Sequence, residues 1–265
     1  MDFAAPRGAW GGEVWHAHCA RALSAAGEPR HHVVVRRALR ILSVALVTAG
    51  LVILVDVGVT LAWKEPISSI YGSIQQGKAE DQLEALSDDF PSDADIRALE
   101  RVTGVREKVR LLAERFAERV EPGKGIGNVR IPATGLEVVL VQGTDTSTLQ
   151  RGPGHYPETP FPGEGGTVGI AGHRTTYLAP FRHVDELAEG DPIVIEMPYA
   201  SFTYEVDSIE VVEPTDVQVV APAGHERVVL TACHPLYSDA QRIAVSGRLT
   251  DVSLFAAGDQ RWVDP

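Results

Sequence analysis

Cysteine is nearly absent from this chain. Its 265 residues hold two, Cys19 and Cys233, too few for a disulfide framework, and neither lies in a CxxC pair. With no HxxxH spacing and no acidic cluster of the calcium-binding kind, no metal and no other cofactor is expected. Positive charge is also scarce: 24 Lys and Arg stand against 36 Asp and Glu, a net of −12. So acidic a chain is a poor match for a nucleic-acid partner. Internal repeats are lacking. The Ala-, Gly- and Arg-rich stretch 1–30 has no period and reads as a disordered tail. Only one long apolar run occurs, at 41–63, and the last residues, Asp259-Gln-Arg-Trp-Val-Asp-Pro265, are polar.

That single run is long enough to matter. As a helix it spans about 34 Å at ~1.5 Å per residue, against a hydrocarbon core of about 30 Å. It exceeds a signal-peptide core, and no small-x-small cleavage site follows, so it reads as an uncleaved transmembrane anchor. Its one charge, Asp56, is tolerable in so apolar a run. Residues 1–40 carry six arginines, among them Arg36, Arg37 and Arg40, against three acids, a net of +3 that leaves −15 for the rest. The positive-inside rule then keeps the N-terminus in the cytoplasm and sends residues 64–265 outside, a single-pass membrane protein. Cys19 and Cys233 lie on opposite sides and cannot pair within one chain.

Residues 64–125 are polar with helical spacing. Ile96, Leu99, Val105, Val109, Leu112, Phe116 and Val120 recur every three or four residues, and Glu121-Pro-Gly-Lys-Gly125 ends the pattern. A juxtamembrane stalk that lies against the domain or self-associates is expected. From 126 onward short β-branched runs alternate with Gly, Pro and Asp turns. Candidate strands are 129–131, 136–141, 167–171, 193–197, 202–212, 228–233 and 243–249, with a hairpin at 198–201 and one short helix at 180–187. Seven or eight strands with little helix point to a closed β-barrel or a sandwich.

A nucleophilic cysteine needs a partner favouring its thiolate, a donor for the developing oxyanion, and access. Cys233 ends the strand-like run Arg227-Val-Val-Leu-Thr-Ala-Cys233. Among the histidines that follow residue 64, His173 stands out, because it closes the glycine-rich strand Gly165-Gly-Thr-Val-Gly-Ile-Ala-Gly172. The glycines let other chain segments come close. His234 is next to Cys233 and would point to the other face of a continuing strand. His155 and His225 lie in Gly/Pro loops, a setting compatible with a surface position. Arg242 opens the strand after Cys233, and its guanidinium can reach the space beside the sulfur. Taken singly, each has a plain structural reading: a small buried thiol, a solvated turn histidine, a surface arginine.

Together, Gly-Ile-Ala-Gly-His173-Arg, Val-Leu-Thr-Ala-Cys233 and Arg242, in the order His, Cys, Arg with about sixty residues between His and Cys, resemble the sortase family over roughly 126–250. Leu149-Gln-Arg-Gly-Pro-Gly-His155-Tyr156-Pro, the stretch from Thr231 to Arg242, and Trp63-Lys-Glu-Pro66 after the anchor are most similar to the class E sortases of actinobacteria.

The resemblance implies a mainly β fold: an eight-stranded sortase-type β-barrel with short helices, preceded by the helical stalk and the N-terminal transmembrane helix. It implies a cysteine transpeptidase, a thiol protease in its first step. Such an enzyme cuts a C-terminal LAxTG- or LPxTG-like sorting signal between Thr and Gly through a thioester. The protein then passes to an amine of a cell-wall precursor (peptidoglycan or lipid II). Cys233 would be the nucleophile, His173 the acid and then base, and Arg242 the support for substrate or oxyanion. Thr231, Ala232, His155 and Tyr156 are the candidate substrate-binding residues. Ala232 replaces the family's usual Thr before the nucleophile, a departure expected to bear on substrate detail. The implied partners are surface proteins carrying the sorting signal, the precursor amine and the membrane.

The implied organisation is a cytoplasmic tail (1–40), a signal anchor (41–63), the stalk (64–125), the barrel (126–255) and a C-terminal tail (256–265). Other readings fit less well. The Ser-His-Gly-Cys pattern of L,D-transpeptidases is absent, and Cys/His cell-wall peptidases place Cys first. A pilin polymerase would commonly carry a second, C-terminal membrane segment. A non-catalytic surface module with an inert Cys233 is the alternative outside the enzymes.

Overall fold

The computed structural model describes residues 30–62, 66–256 and 259–263. The expected tail up to residue 29, Cys19, and residues 63–65 of the motif after the anchor lie outside the described residues. The chain divides into two units, 1–58 and 59–265.

Helix α1 (Arg30–Ala62), most of which belongs to the first unit, carries a 26-residue stretch, Val34–Val59, of mean hydropathy 2.4, long and apolar enough to cross a membrane and not buried. The helix starts eleven residues before the apolar run read from sequence. Arg, Ala and Leu are good helix formers, so the helix continues where hydrophobicity has already fallen.

In the second unit, α2 (Pro66–Asp89), α3 (Asp93–Leu99) and α4 (Val105–Ala117) precede the strands. The stalk pattern is therefore broken into separate helices. Ser92 caps α3 in a capping box with Asp95, and Gly104, at φ 94°, stands before α4. The strands are β1 (Gly125–Ile131), β2 (Leu136–Gln142), β3 (Gly154–His155), β4 (Thr167–Ala171), β5 (Pro192–Met197), β6 (Ala200–Val212), β7 (Arg227–His234), β8 (Gln241–Ala256) and β9 (Asp259–Val263), with a short α5 (Thr146–Leu149) before β3.

Hydrogen bonding runs in the order β6-β5-β1-β2-β3-β4-β7-β8, and β8 pairs again with β6, so eight strands close into a barrel. This is the fold expected from sequence. β9 adds to the far end of β8, where a tail was expected. The 180–187 segment holds only a one-turn 3-10 helix, Val184–Glu186.

Alternating residues of the strands fill the barrel: Ile170 of β4, Ile193 and Ile195 of β5, Phe202 and Tyr204 of β6, Val228, Leu230 and Ala232 of β7, and Ile243 and Val245 of β8. Val109, Leu112, Ala113 and Phe116 of α4 join the same cluster. Phe116 packs against Phe90, Phe161 and Tyr199 at ring separations of 5.3, 5.7 and 5.4 Å. Tyr199 lies in the β5–β6 turn, where Ala200 pairs with Leu254, whereas Arg242 at the other end of β8 pairs with Val212. α4 thus plugs the barrel end opposite the rim that carries Cys233.

Candidate active site

β4 and β7 are parallel neighbours, with Thr167 beside Arg227 and Ala171 beside Thr231. The amide of Gly172 still donates to the carbonyl of Thr231 at 2.9 Å. His173 and Cys233 each lie two residues beyond the Ala171–Thr231 pair, His173 just past the end of β4 and Cys233 still within β7. The register therefore brings both residues to the same rim of the barrel. On the other side of β7, Cys233 is paired directly with Arg242 of β8. The three residues singled out by sequence therefore sit at or just beyond the ends of three adjacent strands at one rim, with the half-buried Cys233 in the middle.

His173 is half-buried. Its Nε2 is buried with no hydrogen-bond partner among the described residues, and burial lowers its pKa from the ordinary histidine value. Tyr177 lies against its ring, centroids 5.3 Å apart. Gly172, the residue before it, is where Phe181 comes closest: a Cβ there would stand 2.5 Å from the Phe181 ring. Arg242 donates through Nη1 to the carbonyls of Asp239 and Gln241, both at 2.9 Å. These bonds hold the β7–β8 turn and leave the rest of the planar fork without a partner among the described residues.

Thr231 lies two residues before Cys233 on the same face. Its hydroxyl is 2.8 Å from that of Tyr156, whose ring covers Gly169 so closely that a Cβ there would be 2.7 Å away. Tyr156 and Thr231 thus form one wall continuing from the thiol.

Two expectations are corrected. His155 is not at the surface but fully buried in β3, stacked on Phe161 at 4.6 Å, with its ring nitrogens 3.0 Å from Gln142 Oε1 and 3.1 Å from the Pro160 carbonyl. Burial brings its pKa down to about 4. It fastens the segment that carries Tyr156 and is closed to a substrate. Ala232 points into the barrel with Leu230 and Ile243, away from the face of Cys233. The missing Thr hydroxyl therefore bears on packing, not on the groove.

Arg174 went unread in the sequence. It is 2% exposed. One guanidinium bonds Asp185 at 2.7 Å, the Arg182 carbonyl at 3.2 Å, His234 Nδ1 at 3.2 Å and the Cys233 carbonyl at 3.5 Å. Burial works against the Asp185 carboxylate, but the hydrogen bond and charge of Arg174 hold its pKa below the usual range. Arg174 ties the end of β4 to the end of β7 and to the loop between β4 and β5. The signal for it was an arginine placed directly after a glycine-flanked histidine.

Among the described residues no group of three or more His, Cys, Asp or Glu is arranged for a metal ion. A cleft of about 570 Å³ between α4 and the opposite barrel end is lined by charges of both signs, Arg106, Arg110 and Arg248 with Glu107, Glu164 and Glu226. It is remote from Cys233.

A family model for the sortase domain matches residues 129–250. Sortase D of Bacillus subtilis is 30% identical over 138 residues, covering 51% of this chain and 68% of the relative. Sortase SrtE1 of Streptomyces coelicolor is 34% identical over 147 residues, which is 49% of this chain and 42% of the relative. The likeness to class E expected from sequence is thus present beside one to a sortase of another letter. Among solved structures, the Clostridium perfringens sortase D5 transpeptidase superposes with a TM-score of 0.52 at 25% identity, over 66% of this chain and 99% of that one. The closed eight-stranded barrel, the family match over 129–250, which contains His173, Cys233 and Arg242, and the likeness to sortase D agree: the chain belongs to the sortase family of cysteine transpeptidases.

Proposed function

We propose that the chain cleaves a C-terminal sorting signal of the LAxTG or LPxTG kind between Thr and Gly and transfers the new Thr carbonyl to a cell-wall amine. The observation that supports this reading is the register of β4, β7 and β8, in which Arg242 pairs with Cys233 and His173 follows the last β4–β7 pair by two residues. The Cys233 thiolate attacks the Thr carbonyl carbon and the carbonyl electrons move onto oxygen. The free N–H groups of the Arg242 fork answer that charge. A thiolate leaves more readily than an amine anion, so the intermediate reverts unless the Gly nitrogen is protonated. The His173 imidazolium supplies that proton, the C–N bond breaks, and a thioester remains. An incoming amine attacks the thioester, His173 takes its proton, and the thiolate leaves.

Surface proteins with the signal would be the donors and a peptidoglycan precursor such as lipid II the acceptor. α1 would hold the enzyme as a single-pass anchor, with the N-terminus cytoplasmic and the barrel outside. The class E motif stretches favour LAxTG over LPxTG. The test is product mass spectrometry with both peptides and a panel of amines. The full chain should cut between Thr and Gly and form the amide. Cys233→Ala should abolish cutting, Cys19→Ala should leave it intact, and Arg242→Lys should lose most of it because an ammonium lacks the planar fork. A full chain that leaves both peptides uncut with every amine, or a Cys233→Ala chain that still cuts, rejects the assignment.

A further inference from the structure

The turn that follows His173 is shaped by a helix about a hundred residues earlier in the chain. Tyr177, Leu178 and Ala179 have φ of 49°, 68° and 46°. None is glycine, and successive left-handed residues with a Cβ persist only where their surroundings fix them. From within, the turn is closed by bonds from the Ala179 amide to the Thr176 carbonyl (2.8 Å) and from the Phe181 amide to the His173 carbonyl (3.0 Å). From outside, α2 lies against it.

Gly72 of α2 is buried there. A Cβ on it would stand 2.9 Å from Leu178 Cγ and 3.2 Å from the Tyr177 carbonyl carbon, so the helix approaches this closely only with glycine. Tyr71, beside it, meets the Tyr177 ring edge-on at 6.1 Å, and Tyr177 in turn lies on His173. One turn further along α2, Gln76 fixes the helix to the barrel. Its Nε2 donates to the carbonyls of Val139 (3.1 Å) and Arg151 (2.5 Å), and its Oε1 accepts from the Val139 amide (2.8 Å). The side-chain amide stands in for a strand partner on β2, so α2 cannot slide without breaking three bonds.

We propose that α2 is a working part of the Cys233 site: through Tyr71 and Gly72 it holds the Tyr177 turn against His173 and thereby sets that ring relative to the thiol. Tyr71 and Gly72 are positioning residues that act through Tyr177. The mechanistic consequence rests on the reading of His173 as the proton carrier; the brace itself is a matter of geometry.

The experiment uses the full chain in detergent micelles, with ¹³C-labelled histidine, and the variants Gly72→Val, Tyr71→Ala, Tyr177→Ala and Tyr177→Phe. Three quantities are read: kcat and KM on the sorting peptide, the His173 ring-proton shifts, and the thermal midpoint. Tyr177→Ala and Gly72→Val should lower kcat by about tenfold or more, the scale of a catalytic group displaced by a fraction of an ångström to an ångström, with KM little changed. In both, the His173 ring protons should move as the ring current of Tyr177 is lost or displaced. Tyr177→Phe should restore both readings.

Wild-type kcat and unmoved His173 protons in Gly72→Val overturn the proposal. So does a rise in kcat, which would make α2 a restraint, or a lower thermal midpoint alone, which would make it only structural. Should Gly72→Val fail to fold, Tyr71→Ala, which removes an exposed ring, supports or overturns the brace by the same readings. The proton shifts need no substrate. A wild type that cuts no peptide therefore rejects the transpeptidase reading while His173 still decides the brace.

Discussion

Burial acts on His155 and His173 in the same direction, yet the two rings end with different duties. Both lose water, and for both the charged form is disfavoured. His155 has partners at both ring nitrogens and a stacked Phe161, so it is a fixed strut. His173 has a buried Nε2 with no partner among the described residues, so it is the ring with a proton site to spare. The strut has a measurable cost in acid. An unfolded histidine titrates near 6.5, whereas folded His155 resists protonation down to about 4. Between these values the unfolded chain binds a proton that the fold refuses. Stability is therefore whole above about pH 6.5 and falls as pH drops towards 4, by roughly 3 kcal/mol, with His173 adding in the same direction. Urea midpoints across this window should show the decline, and His155→Gln, which cannot charge, should reduce it to the part that His173 contributes, whatever its midpoint at neutral pH. A wild-type profile already flat there would contradict the burial argument. The shared rim position of Cys233, His173 and Arg242 was legible in the sequence because each lies at or just beyond a strand end with a strong local pattern. His155 was not, since the groups that bury it, Gln142 and Phe161, come from neighbouring segments that fold over a Gly-Pro loop. Ala232 misled for a related reason: adjacency in sequence to a nucleophile is, on a strand, placement on the opposite face.

At the scale of elements, the stalk is the part whose role changed most. Its apolar spacing announced a helix against the domain, and Val109, Leu112 and Phe116 of α4 do face the barrel. The spacing could not announce the interruption between α3 and α4, because residues on either side of the break still fall on one face. β3 escaped for the opposite reason. Two residues have no period to read, and the strand exists only because β2 and β4 flank it. The consequence for α4 is energetic. Phe116 is fully buried at the centre of an aromatic cluster that seals one barrel end. Phe116→Ala should cost about 3–5 kcal/mol of stability, the range for a buried aromatic replaced by a cavity. Denaturant unfolding of the full chain in detergent checks it. A loss below about 1 kcal/mol, ordinary for an exposed site, would mean that α4 merely rests on the barrel. Since this end lies far from Cys233, remaining folded protein should keep its peptide preference.

For the whole molecule, the two cysteines turn a topology into an assay. Arg36, Arg37 and Arg40 stand within α1, at the N-terminal part of its apolar stretch, and the proposed orientation, from the positive-inside rule, has that end in the cytoplasm. The chain beyond the helix is acidic and carries the half-buried but accessible Cys233. Cys19 precedes the helix. In intact cells a membrane-impermeant maleimide should therefore modify Cys233 and spare Cys19, and after permeabilisation both should react. Cys233→Ala and Cys19→Ala chains assign each product by mass. Labelling of Cys19 alone in intact cells would invert the orientation, and the barrel would then face a compartment without the proposed cell-wall acceptor. Labelling of both before permeabilisation would mean that α1 does not separate them. The assay also bears on why the second thiol lies where it does. A disulfide at Cys233 would remove the nucleophile, and on the outer side, where thiols oxidise readily, a nearby cysteine of the same chain would be a standing hazard. Under the proposed topology Cys19 lies across the membrane, and that hazard is absent. A Cys19 relocated beyond α1, for example by Cys19→Ala combined with Ser238→Cys in the β7–β8 turn, should then lower activity under oxidising conditions, with activity returning on reduction.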